Sequence, residues 1–410
     1  MAEVRAFQGF RPRADVVDRV AALPYDVYNR SEAKVEVERE PMSFLKVDRA
    51  ETQFEDSMDM YSPLVYQKAK ELLDGMIAEG IYVQEEKNVY YIYELTMDGR
   101  SQTGIVACAS IDDYQNNVIK KHENTREEKE LDRIQHVDTC NAQTGPIFLA
   151  YRAQQMIDDV VNRVKEATPV YQFVSPDGIG HAVWVIAEDA DIQQVADGFR
   201  KVESIYIADG HHRAASAVKV GLKRRAEYPD YDGTEEFNYF LSVLFPHNQL
   251  MIMPYNRVLQ DLAGMTEEEF INRMKESFDV EEQSAPVQPS KKATFGMYLN
   301  QKWYLLTAHA DICCDDPVEG LDVSILQKEV FDKLLHIADP RTDKRIDFVG
   351  GIRGLQELER RANEDMCLAF SMYPTSIIEL FGVSDAGLLM PPKSTWFEPK
   401  LRSGIFVHQL

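Results

Sequence analysis

The sequence predicts an α+β fold of mixed sheets with interleaved hairpins and helices. Three hairpin patterns spread along the chain, with helical segments between them, favour this class over a doubly wound parallel sheet. No repeated period marks a solenoid or propeller. The 410 residues exceed what one core normally holds, so two domains are expected. We divide the chain into residues 1–250 and 251–410, with the loop after 280 as the other place for the boundary.

The elements follow in order. The first 50 residues, with PYDV at 24–27, read as strand and loop. Ser62 and Pro63 supply the cap and first position of a helix ending near Gly80. NVYYIYEL and TGIVACA flank Asp98-Gly99, a turn pair suited to a tight hairpin. Residues 110–167 read as mostly helical, and Thr125 with Glu128 has capping-box spacing for a helix from about 126 towards His136. YQFVSPDGIGHAVWVIA is the second hairpin, turning at Pro176, Asp177 and Gly178. SIYIA is a buried strand, followed by a helix over 212–220 that stops at Gly221. NYFLSVLF and LMIMPYNRVL are further strands. Thr266 with Glu269 opens another helix, whose face carries Phe270, Met274 and Phe278. Residues 281–292 read as a surface loop, FGMYLNQKWYLLTA as the third hairpin, and Val323 to Leu335 as a helix.

Charge and cysteine content narrow the function. With 68 acidic against 45 basic residues, the formal charge of −23 repels nucleic acid and anionic membrane surfaces. The five cysteines are odd in number and form no CxxC pair, as expected of thiols in a reducing compartment. No apolar run approaches the length of a membrane span and no signal-peptide pattern opens the chain, so a cytoplasmic protein is expected. A small-molecule partner fits this surface better than a polymer does, with homo-oligomerisation left open.

Three stretches carry chemistry. In IADGHHR, a strand feeds a helix through Asp209 and Gly210, leaving backbone N–H groups at the helix start that can face an anion. Gly210 permits a positive φ or a close approach. Arg213 offers a fork of donors matched to phosphate oxygens, and His211 or His212 can donate to phosphate or move a proton. Asp209 could cap the helix, orient a neighbour, or hold magnesium with bound phosphates. A capped helix start with solvent-facing histidines is the plain alternative. Metal ligation by the histidine pair is the third, without an HExxH or CxxC pattern behind it.

The second stretch is IKKHENTREEKELDRIQHVDT, where His122 and Glu123 precede the predicted helix. A carboxylate there could accept a hydroxyl proton beside a transferred phosphoryl group, or simply belong to a charged solvated face. The third is MPPKSTWFEPKLRSG, in which Lys393, Ser394 and Thr395 supply donors on irregular backbone. The GxxxxGKS/T, GxGxxG and GxSxG motifs are all absent.

On PYDV, the segment from His122 through TGPIF (144–148), IADGHHR, MPYNRV (253–258) and MPPKSTWFEPKLRSG, the chain is identified as a member of the prokaryotic domain-of-unknown-function family one thousand and fifteen. Over a much smaller span, the ADGHHR block resembles the phosphate-binding corner of the ParB, sulfiredoxin and free-serine kinase superfamily, matching through Asp209, Gly210, His211 and Arg213. That resemblance implies a ParB/sulfiredoxin-like nucleotide-binding core, placed in residues 1–250; residues 251–410 are separately expected to form a second α+β domain lending a C-terminal loop. From the residues and this resemblance together, the leading expectation is a phosphotransferase using ATP or ADP with Mg²⁺ on a small hydroxyl-bearing metabolite, serine among the candidates. In that reading Gly210, His211, His212, Arg213, Lys393, Ser394 and Thr395 bind the cofactor, Asp209 holds the metal, and Glu123, His122, Asp209 and His211 form the catalytic set. A sulfiredoxin would carry a cysteine in this turn, and none lies between Cys140 and Cys313. A small-molecule phosphatase or nucleotidase, and a non-catalytic nucleotide sensor, are the alternatives.

Overall fold

The computed structural model describes residues 1–125 and 127–410. The chain separates into two units, Met1–Leu250 with Pro399–Leu410, and Met251–Glu398. Each is a mixture of helices and sheets. Residues 399–410 join the first unit because His408–Gln409 pairs as a strand with Ala142–Gln143.

A nine-stranded sheet organises the first unit. Its strands are β1 (Val4–Arg5), β2 (Tyr90–Met97), β3 (Arg100–Ser110), β4 (Ile119–Lys120), β5 (Ile147–Tyr151), β6 (Tyr171–Val174), β7 (Gly180–Ile186), β8 (Ile205–Asp209) and β9 (Tyr239–Pro246). They lie in the order β4-β8-β5-β9-β3-β2-β7-β6, with β1 added beside β3. Pairing is antiparallel except for β4 with β8 and β5 with β9.

The local signals explain much of this. Asp98 and Gly99 both take positive φ, 52° and 77°, and join β2 to β3 by the tight turn expected of that dipeptide. Gly178, at φ 82°, turns β6 into β7. Ser62 accepts from the Leu64 N–H and caps α1 (Pro63–Ala78), with Pro63 at its first position.

Three readings of the first unit are corrected, and one falls outside the described residues. Between 110 and 167 the chain is not mostly helical: β4, Ala142–Gln143 and β5 alternate with α2 (Glu127–Cys140) and α3 (Gln155–Val164). The run IFLAY is buried throughout, and such a run fits a buried strand as well as a helix. The first 50 residues include helices Val17–Val20, Arg30–Arg39 and Leu45–Asp48. The expected start of α2 falls on Arg126, outside the described residues, and the Thr125 hydroxyl bonds Glu130. After α4 (Asp189–Phe199), α5 (His211–Glu227) runs straight through Gly221. A Cβ there would meet the Phe237 carbonyl at 2.4 Å, so this glycine permits a close approach rather than a stop.

The second unit has a six-stranded antiparallel sheet built from β10 (Tyr255–Leu259), β11 (Phe278–Gln283), β12 (Thr294–Leu299), β13 (Lys302–Ala308), β14 (Ile346–Gly350) and β15 (Leu368–Met372). Their order is β11-β13-β12-β15-β10-β14. Asn300 and Gln301, both at positive φ, close the β12–β13 hairpin. The Thr266 and Glu269 capping box is formed at the head of α6 (Glu267–Met274). Phe278 is not on its face, because it already begins β11. Two more helices, α7 (Gly354–Glu364) and α8 (Ile377–Asp385), complete the unit. Between 322 and 332, helix Asp322–Leu326 continues as a wider π-type turn.

Candidate functional site

The corner between β8 and α5 is built by one glycine. Gly210 sits at φ 94° and ψ 33°, a left-handed conformation that lets the strand enter the helix directly. The first turn of a 17-residue helix therefore opens at the end of β8, and Gly210, as its N-cap, supplies no side-chain hydrogen bond to it. Arg213 folds back over the turn: a Cβ on Gly210 would come within 3.0 Å of its Nε and Nη2.

Arg213 is largely enclosed. Its Nη1 donates to the Pro146 carbonyl at 2.5 Å and its Nη2 to Asp209 Oδ2 at 3.3 Å. It thus ties TGPIF to the ADGHHR turn, and its guanidinium also lines a pocket. Asp209 lies between two cations, because Lys400 Nζ approaches the same oxygen at 3.7 Å. His212 is half-exposed, and its carbonyl accepts from Ser216 Oγ.

His122, Glu123 and His211 come together although nearly ninety residues separate the first two from the third. Strand β4 pairs in parallel with β8, Ile119 opposite Ile205 and Lys120 opposite Tyr206. Residues just past β4 therefore arrive beside the end of β8, where α5 begins. The His122 and His211 rings meet edge to face at 4.6 Å. One ligand atom from each of the three residues lies within 4.8 Å of the others. Burial drives the His122 imidazole down to about 4, against the opposing pull of the Ile207 carbonyl and Asp209. Burial also holds His211 well below its ordinary value, helped by His122. Both rings are neutral near pH 7, so neither supplies a fixed positive charge for phosphate.

Next to Arg213 the segments PYDV, TGPIF and KLRSG share a pocket, represented by Tyr25, Thr144, Gly145 and Ser403. It adjoins a cavity of about 100 Å³ that shares Tyr25, Asp48, Arg133 and His136 with it. The walls are a buried ionic network. Arg133 pairs with Asp132 at 2.9 Å and lies over the Tyr25 ring at 4.0 Å. Arg49 pairs with Glu51 at 2.5 Å and donates to the Tyr25 and Tyr28 carbonyls. Thr144 Oγ1 donates to Asp48 at 2.8 Å. Burial pushes the Tyr25 hydroxyl up to about 12, with Arg133 opposing.

The sequence reading did not single out Asp48, Arg49, Glu51, Asp132, Arg133 or His136. The available signal was Asp132 and His136 four apart on α2, which sets them on one helix face.

Lys393, Ser394 and Thr395 belong to the second unit. Lys393 has positive φ, its carbonyl accepts from Arg257, and its Nζ lies 5.6 Å from the Tyr255 ring centre. Ser394 Oγ donates to the Pro391 carbonyl, and the Ser394 carbonyl accepts from Thr375. No helix among the described residues is long and apolar enough to cross a membrane.

The family described as a protein of unknown function (DUF1015) matches residues 4–324. No curated protein matches the chain. Among solved structures, a free serine kinase in complex with AMP is 14% identical at a TM-score of 0.34, covering 72% of this chain and 86% of that one. SbnI with a C-terminal truncation, from Staphylococcus aureus, is 11% identical at 0.37, covering 72% and 82%. A conserved hypothetical protein from Pyrococcus furiosus is 14% identical at 0.33, covering 73% and 93%. These weak likenesses assign no residue.

Proposed function

We propose that this chain, which belongs to the DUF1015 family, is a nucleotide-dependent phosphotransferase acting on a small hydroxyl-bearing metabolite, with serine among the candidates. The observation that carries the reading is the β8–α5 corner, where a left-handed glycine opens a helix N-terminus beside Arg213 and Lys400. Helix amides and two cations suit the oxygens of a phosphate chain.

In this mechanism the amides at the start of α5 hold the phosphates of ATP or ADP, with Arg213 and Lys400 balancing their charge. Asp209 is the carboxylate at the corner able to give an oxygen to Mg²⁺, a hard cation that prefers such ligands. When bound, Mg²⁺ would offset charge on the phosphate oxygens. Glu123 accepts the proton of the acceptor hydroxyl. That oxygen bonds to the terminal phosphorus as the bond from phosphorus to the leaving nucleotide oxygen breaks. Alignment and charge stabilisation supply most of the rate, as is general for this reaction.

The test is incubation of the purified protein with ATP or ADP, Mg²⁺ and pooled hydroxyl-bearing amino acids, with products read by mass spectrometry. A new phosphorylated metabolite is the expected result, and its loss in Glu123→Gln supports the assigned base. Free phosphate alone would turn the reading to a phosphatase or nucleotidase. Nucleotide binding without turnover would make the chain a sensor, and absence of both would end the proposal.

A further inference from the structure

We propose that His122, Glu123 and His211 bind a divalent transition-metal ion of the zinc class. The carrying observation is the convergence of two imidazoles and one carboxylate, with ligand atoms within 4.8 Å of one another. An ion with bonds of about 2.0–2.1 Å holds tetrahedral ligands about 3.4 Å apart, so modest side-chain rotation suffices.

A second observation points the same way. His211 is 6% exposed, and its Nε2 has no hydrogen-bond partner among the described residues. A buried imidazole nitrogen is normally satisfied, and a metal satisfies it. The Ile207 carbonyl engages the His122 ring, the kind of contact that fixes a ligating histidine in orientation. The cluster also stands on backbone geometry, because the β4–β8 pairing and the Gly210 turn deliver its parts independently of side-chain rotamers.

Ligand chemistry selects the ion. Two nitrogens and one carboxylate suit zinc, manganese or ferrous iron better than magnesium, which prefers oxygen throughout. Glu123 is half-exposed while both histidines are buried, so the carboxylate side is the open side, available to water or another ligand. Asp209 adds negative charge nearby and Lys121 opposes it. If Glu123 is also the base assigned above, a bound ion would compete for that carboxylate. This consequence rests on the phosphotransferase reading, whereas the binding itself does not.

The experiment strips the full-length protein with a chelator, then titrates Zn²⁺ against a chromophoric competitor and Co²⁺ by visible absorption. Wild type should bind about one equivalent and develop a cobalt ligand-field spectrum. His211→Ala should weaken zinc binding at least about tenfold and lose that spectrum. Should His211→Ala fail to fold by circular dichroism, Glu123→Gln, at a half-exposed position, is read by the same criteria. Equal zinc affinity in wild type and a folded variant overturns the site. So does binding that disappears only when Cys313 and Cys314 are changed to Ser. Metal binding without phosphotransfer would leave this site standing and remove the proposed activity, so the two can fail separately.

Discussion

The two units handle buried charge differently. In the first, buried Arg49, Glu51, Asp132, Arg133 and His136 line one cavity, and buried His122 and His211 meet at the head of α5. In the second, β12 and β15 are buried along their whole length, and the core beside α7 packs Val258, Tyr298, Trp303, Val349, Leu358 and Ala369. Interiors reward apolar packing and penalise charge unless it is paired. A concentration of enclosed ionic groups therefore marks where the fold gives up easy stability.

The comparison breaks most readily at Arg133. Arg133→Ala leaves Asp132 enclosed without its guanidinium, at an expected cost of about 3–5 kcal/mol. Urea denaturation gives the size, and hydrogen exchange by mass spectrometry should place the loss in peptides of the first unit. A change below about 1 kcal/mol would mean that the network is not held together as described.

Next comes Arg213→Ala. If the corner holds phosphate, nucleotide affinity by calorimetry falls about tenfold to a hundredfold, the scale of a lost hydrogen bond to a charged group. Unchanged affinity would remove this guanidinium from the site.

Acid should separate the units by sign. Burial lowers His181 to about 3, with Arg402 adding to the shift and Asp177 opposing it, while Tyr93 and Ser175 bond its two ring nitrogens. The unfolded chain takes up this proton first, so the stability is present above about 6.5 and is lost as pH falls towards 3. At pH 5 the loss is roughly 1–2 kcal/mol. Asp322 runs the other way. Burial raises it to about 6, Glu379 adds to this, and the Ala293 N–H and Lys292 oppose it. Its contribution is full below the ordinary carboxylate value and lost as pH rises through about 6. Between pH 7 and 5, hydrogen-exchange protection should fall around His181 and rise around Asp322. His181→Asn should flatten the first trend alone.

The smallest effect is a helix cap in the second unit. Thr266→Ala removes the side-chain acceptor for the Glu269 N–H and should cost about 1 kcal/mol. Faster exchange should be confined to α6.

Much of the local structure was legible because local rules govern it. Asp98-Gly99 specifies a hairpin through its positive φ angles, and Ser62-Pro63 specifies a helix start. Within the site, the strand, Asp-Gly turn and helix of ADGHHR could be read in the same way. Strand β5 could not, because an all-apolar run satisfies a buried strand and a buried helix alike. Gly221 was misread because a glycine at a helix stop and one at a close contact look identical until Phe237 is in place.

By itself, then, the sequence determined the positive-φ turns, the caps, the buried run of β8 and the polar residues grouped after it, all set by steric and hydrogen-bonding preferences within a few residues. Only the tertiary structure decided that His122 and Glu123 would meet His211, and that Asp48 would take the Thr144 hydroxyl. The reason is that interstrand backbone hydrogen bonds, such as those joining Ile119–Lys120 to Ile205–Tyr206, connect residues far apart in the chain. Their register is chosen by how whole elements pack, which no short stretch encodes alone.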